Sequence, residues 1–138
     1  MKKLKYFIPS LILMMIIFSF SSQTGTESSG LSSQIVLWIQ NNLHISIPEI
    51  IIRKGAHMSE YALLTLTFVY GYHKSDITIN KVYLYSIISC FLYACTDEMH
   101  QLFIGGRAGQ FTDVLIDTSG GLIIIIIIYL ITYRKKSH

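Results

Sequence analysis

Four apolar segments leave this chain few ways to fold. From Tyr6 to Thr26 there is no charged residue, a run of 21. Ala56 to Tyr72 carries only Glu60 as a charge, with His57 one turn before it, and Val82 to Thr96 carries none. Val114 to Tyr133 has only Asp117 and contains the isoleucine run Ile123 to Ile128. A helix needs about 20 residues, rising 1.5 Å each, to cross a hydrocarbon layer about 30 Å thick. Four such spans take up more than half of 138 residues, a length that leaves room for one domain, 1–138. Charged residues make up 14% of the chain and hydrophobic ones 51%, whereas an average soluble domain is about 25% charged. A soluble globular enzyme and a disordered chain are both excluded on that ground. The net charge of +3 is too small to point to nucleic acid. The expected fold class is all-α, a polytopic membrane bundle of four transmembrane helices.

Orientation follows from the basic residues. With the N-terminus inside, the cytoplasmic segments hold Lys2, Lys3, Lys5, Lys74, Lys81, Arg134, Lys135 and Lys136, and the outer side holds Arg53, Lys54 and Arg107. This is a positive-inside distribution with both termini cytoplasmic at the cell membrane. The first span, flanked by lysines, also has the plan of a signal peptide, but no A-x-A-like site follows it, so an uncleaved helix is expected. In the long outer segment, Leu31, Ile35, Trp38 and Ile39 recur at helical spacing. They fit either a short amphipathic helix on the outer interface, anchored by Trp38, or a helix packed on the bundle. Pro48 suits the first turn of the second span. Cys90 and Cys95 lie five apart on different faces of the third span and read as small buried side chains.

Rise per residue gives depth. Measured from Lys74, Glu60 lies about 21 Å up the second span, His57 about 25 Å and Arg53 about 31 Å. From Lys81, Asp97 lies at about 24 Å and Gln101 at about 30 Å; from Arg134, Asp117 at about 25 Å and Asp113 at about 31 Å. From Lys5, Ser21 lies at about 24 Å and Gln23 at about 27 Å. Four helices thus place Ser21, His57, Glu60, Asp97 and Asp117 in one layer beneath the outer surface, with Arg53, Gln101 and Asp113 above it. The spacings also share faces: Arg53, His57 and Glu60 form one stripe, and Asp97–Gln101 and Asp113–Asp117 are i, i+4 pairs, with His100 adjacent to the Asp97 face. A charge in hydrocarbon costs at least ~2.5–3.5 kcal/mol, so these stripes must face one another or a wet pocket. Gly120 and Gly121, one turn below Asp117, permit close helix approach. Taken singly, Arg53–Glu60 and Arg107–Asp113 read as structural ion pairs and His57 as a packing residue. Converging on one layer, they read as a site. The glycine-rich segment Leu102 to Thr112 suits a tight or re-entrant loop presenting Arg107 to an anion, or a plain turn.

Several segments resemble one known family. Ser21-Ser22-Gln23, Arg53-Lys54-Gly55-Ala56-His57-Met58-Ser59-Glu60-Tyr61, Asp97-Glu98-Met99-His100-Gln101-Leu102-Phe103 with Gly106-Arg107, and Asp113 through Asp117 to Gly120 are similar, in order and spacing, to the motifs of VanZ-like membrane proteins. The resemblance covers residues 21–121. It implies a link to the cell envelope and to lowered susceptibility to the glycopeptide antibiotic teicoplanin, and it supplies no reaction.

An outward-facing site at the lipid boundary should meet a membrane lipid or a lipid-linked envelope precursor. In an enzyme, Arg53 and Arg107 would hold a phosphate or carboxylate. His57, oriented by Glu60 or Asp97, would move a proton, with Gln101 and Asp113 beside it. Glu98, His100, Asp117 and Gln23 complete the candidate substrate-binding set. Five carboxylates against three basic residues would favour a divalent cation or a protonated carboxyl. In a lipid-handling protein the same arginines bind a headgroup without chemistry. In a structural membrane partner the cluster only holds the helices together.

Overall fold

In a computed structural model, the described residues, 3–107 and 109–136, fold into helices alone. A 3-10 turn, Leu4–Phe7, leads into α1 (Ile8–Ser21); α2 (Gly25–Leu43), α3 (Glu49–Lys74), α4 (Ile79–Gln101) and α5 (Phe111–Lys136) follow, with no strand among these residues. Lys2 and the side chains of Lys135 and Lys136 lie outside the described residues.

The apolar run that opens the chain breaks earlier than its lack of charge predicts. Ser22 Oγ donates to the Phe18 carbonyl at 2.7 Å. Thr24 then adopts an extended backbone and caps a new helix, forming a capping box with Glu27. Thr26 therefore belongs to α2, and the apolar span stops at Ser21. Pro48 sits immediately before α3, at the cap position, with φ −59°. Its ring fixes the entry to the helix from outside the first turn.

Two helices are long and apolar enough to cross a membrane: Leu4–Ser21, with mean hydropathy 1.8, and Phe111–Arg134, with 2.5. α3 and α4, at 26 and 23 residues, reach the length, but charged residues near both ends of each lower their apolarity. Their exposed side chains are nevertheless apolar: Leu63, Leu66, Leu84, Ile88 and Leu92 are each at least 42% exposed. The buried positions are the polar ones as often as not. Ser10, Ser21, Thr65, Ser86, Asp97 and Asp117 are all exposed by 2% or less.

α3 is the central element and packs on α5, α4, α2 and α1. Tyr61, Leu64 and Phe68 of α3 meet Ile17, Cys90, Ala94 and Val114 in one cluster, with Cys95 half-buried against it. Tyr93 Oη donates to the Met14 carbonyl at 2.5 Å and ties α4 to α1. At the end away from the site, Lys3 meets Asp76 at 3.1 Å and the Ser75 carbonyl at 2.9 Å. The chain start and the α3–α4 turn therefore share one end of the bundle.

The tightest crossing is between α3 and α5. A Cβ at Gly120 would overlap the Met58 carbonyl oxygen, and one at Gly121 would press on Thr65 Oγ1 and Cys90 Sγ. The glycine pair does what its position one turn below Asp117 predicts. Gly120→Ala should cost about 1–3 kcal/mol, since backbone cannot yield as a side chain does. Gly55→Ala, with nothing within 4 Å, should not destabilise. Thermal unfolding in detergent compares the two, and equal stabilities would rule out the close crossing.

Candidate functional site

At the opposite end, α3, α4 and α5 bring their charged turns together around a cleft of about 210 Å³. α3 contributes Ile50, Arg53, Lys54 and His57, and the last turn of α4 contributes Glu98 and Gln101. The connecting loop supplies Gly106, Arg107 and Gln110, and the first turns of α5 supply Asp113, Ile116 and Asp117. The i, i+4 spacings explain how short segments of three helices line one wall each. Arg53, Gln101 and Asp113, placed in one layer by rise per residue, do line the cleft together.

Charge pairing inside the cleft is not what the sequence spacing implies. Neither Arg53–Glu60 nor Arg107–Asp113 is an ion pair among the described residues. Instead Lys54 Nζ meets Asp113 Oδ1 at 2.5 Å, and His57 Nδ1 lies 3.7 Å from Glu60 Oε2, too far for a hydrogen bond. Glu98 Oε2 accepts the Gln110 backbone N–H at 2.9 Å. Among the described residues the ion pairs are Lys3–Asp76, Lys54–Asp113 and His57–Glu60, so neither arginine has a carboxylate within 4.0 Å. Burial and the neighbouring Arg53 guanidinium push the pKa of Arg107 below its ordinary value, opposed by the carboxylates of Asp97, Glu98 and Glu60. Two like charges thus face the same space.

Behind the cleft lies a polar layer with buried, unpaired atoms among the described residues. Asp97 is 2% exposed; its Oδ2 accepts from Gln101 Nε2 at 3.3 Å, and its Oδ1 has no partner among the described residues. Asp117 Oδ2, Glu60 Oε2, His57 Nδ1 and the Tyr61 hydroxyl are likewise buried and unpartnered there. Glu60 and Asp97 therefore stand behind the wall, while His57 and Asp117 reach the cleft. His100 turns the other way: it stacks on Phe18 at 4.4 Å, and its Nε2 lies 3.2 Å from Ser22 Oγ. Gln23, in the α1–α2 link, does not line the cleft.

The expected excess of carboxylates disappears at the cleft. Its lining holds Arg53, Lys54 and Arg107 against Glu98, Asp113 and Asp117. Among the described residues, no group of three or more His, Cys, Asp or Glu side chains is arranged to hold a metal ion. One lining polar residue, Gln110, escapes the sequence reading, being marked only by its place before α5. Lys54, counted in that reading among the three basic residues but off the Arg53–His57–Glu60 stripe, has no role of its own in it.

α2 packs on the bundle, as one of the two sequence readings of its segment has it. Its small residues Ser28 and Ser32 are buried, while Leu31, Ile35 and Trp38 are 51%, 48% and 63% exposed. The helix rests on α3, where Ser33 Oγ donates to Glu49 Oε2 at 3.2 Å, and still turns an apolar stripe outward.

The charged turns that build the cleft are those whose spacing resembles the VanZ-like motifs. The chain belongs to the VanZ/LLP1 family, which matches it over residues 6–132. No curated protein and no solved structure matches it. Together with the two helices able to cross a bilayer, membership in the VanZ/LLP1 family marks a membrane protein.

Lys54 and Asp113 should be coupled. Their side chains are 34% and 30% exposed, so a double-mutant cycle of Lys54→Ala and Asp113→Ala on thermal stability should give about 0.5–1 kcal/mol of coupling. Strict additivity would show that the pair does not join α3 to α5.

Proposed function

We propose that this VanZ-family protein binds the anionic headgroup of a cell-envelope lipid or lipid-linked precursor in the cleft between α3, α4 and α5. The observation that carries the reading is the pair of arginines, Arg53 and Arg107, which share the cleft without a carboxylate partner among the described residues. Two guanidiniums held near one another repel, and an anion between them relieves the repulsion while accepting forked hydrogen bonds. Asp113 is engaged with Lys54, and Glu98 with the loop backbone, so neither carboxylate cancels the arginines directly.

In this reading α1, α3, α4 and α5 all span the membrane, with both termini cytoplasmic and the cleft at the outer lipid boundary. The apolar stripe of α2 lies along the outer interface, and the loop from Leu102 to Thr112 re-enters toward the cleft. The lysines at the Lys3 end then face the cytoplasm, as the positive-inside rule requires. Occupying or sequestering an envelope precursor is the route by which such a protein would lower susceptibility to teicoplanin. The buried approach of His57 to Glu60 favours a second reading, in which the bound group is also acted on, with His57 exchanging a proton at the cleft wall.

Topology is checked with single cysteines at two exposed positions. Asn41→Cys should react with a membrane-impermeant maleimide from outside intact cells, and Asn80→Cys only after lysis. Labelling of both from the same side would exclude four spans.

Headgroup binding is read by native mass spectrometry of the purified protein with phosphatidylglycerol or phosphatidylcholine. The anionic lipid should be retained preferentially. Arg53→Ala and Arg107→Ala should each weaken that preference at least tenfold, the scale of about 1.5–3 kcal/mol for a hydrogen bond to a charged group. His57→Ala should leave it intact, since that residue serves only the second reading. Equal retention of both lipids, or arginine variants that bind as wild type, would defeat the proposal.

A further inference from the structure

Arg107 has no ion pair among the described residues to hold its side chain, so the backbone that carries it must set its place. That backbone is a glycine turn. The Arg107 N–H donates to the Ile104 carbonyl at 3.2 Å, and Gly106 has φ +76°, a conformation that strains any residue bearing a side chain. The turn is fixed on two sides. On one, the Gln110 N–H is held by Glu98 Oε2 at 2.9 Å, and a Cβ at Gly109 would overlap the Glu98 carbonyl oxygen. On the other, the Gly25 N–H donates to the Gly105 carbonyl at 3.2 Å, and a Cβ at Gly25 would overlap the Gly106 carbonyl oxygen. The donor that Gly25 gives to the turn is one of the first N–H groups of α2, which have no partner inside the helix.

We infer that Gly25 is a positioning residue for Arg107: the first residue of α2, which supplies no side chain to the cleft, sets where the guanidinium stands. The inference rests on the anion-binding reading for its functional consequence, but the positioning itself is measurable without it. Any side chain at residue 25 pushes on the backbone of the turn one residue before Arg107. Gly30, in the same helix, has nothing within 4 Å of where a Cβ would stand, and so serves as the matched control.

The experiment compares Gly25→Ala, Gly30→Ala, Arg107→Ala and the Gly25→Ala/Arg107→Ala double variant as full-length protein. Two readouts are taken: hydrogen–deuterium exchange of the segment 102–110, and retention of phosphatidylglycerol over phosphatidylcholine. Gly25→Ala should speed exchange in that segment at least tenfold and weaken lipid preference nearly as much as Arg107→Ala. Gly30→Ala should match wild type in both. The double variant should bind no worse than Arg107→Ala alone, which a general loss of stability would not produce. Unchanged exchange in Gly25→Ala overturns the inference whatever the binding does. Faster exchange with Arg107→Ala binding as wild type supports the positioning and defeats the anion-binding reading instead. Should Gly25→Ala fail to fold, Gly106→Ala replaces it: its Cβ finds only ordinary contacts from 3.5 Å, but φ +76° strains it, and it should show the same paired changes.

Discussion

The placement of Asp97 and Asp117 governs the rest of the structure. Both are 2% exposed, on helices whose outward side chains include many leucines and isoleucines. In the proposed four-span arrangement, neither carboxylate could turn toward hydrocarbon without a cost of at least ~2.5–3.5 kcal/mol. α4 and α5 must therefore present these faces to the bundle interior, and α3 must close over them. Once the rotation of each helix is set this way, Gln101 and Asp113, one turn further on, are carried to the rim without further instruction.

Close approach is the second requirement, because a polar layer helps only if it is sealed. Gly120 lets α5 lie against the Met58 backbone, and Gly121 lets it meet Thr65 and Cys90. The same device recurs at the rim, where Gly25, Gly106 and Gly109 bring the loop against α2 and α4. Small residues thus bring backbones together in two places, at the α3–α5 crossing and at the rim loop. The buried positions fit this logic, since serine and threonine at Ser10, Thr65 and Ser86 stand where leucine would elsewhere.

Much of this was legible in the chain alone, and the reason is that helices convert spacing into geometry. Counting 1.5 Å per residue put Arg53, Gln101 and Asp113 at one level, and all three line one cleft. Periodicity also marked α2, the inward glycines and the buried cysteine Cys90. What escaped is what has no period. The break at Ser22 depends on a hydroxyl folding back on Phe18 and on the Thr24 cap, a local competition that an uncharged run conceals. His100 is one residue from Gln101, yet it packs on α1, because neighbours along a helix point about 100° apart. Lys54 took Asp113 from Arg107 for the same reason: the pairing depends on the crossing of α3 with α5, not on either helix by itself.

The pairing of Lys54 changes what the cleft can bind. A count of charges along the chain sets five carboxylates against three basic residues and points toward a cation. The fold withdraws Glu60 and Asp97 behind the wall, engages Asp113 with Lys54, and commits Glu98 to the Gln110 backbone. Of the charged groups facing the cleft, Arg53, Arg107 and Asp117 are left without a partner of this kind among the described residues. Asp117 is nearly sealed from solvent at 2% exposure, whereas Arg107 is only half-buried. In the proposed binding, an entering anion would meet the half-buried guanidiniums of Arg53 and Arg107, which have no carboxylate within 4.0 Å among the described residues. A preference for an anion in that proposed binding follows from which lining charges already have partners, a property that the net balance of the lining, three against three, does not reveal.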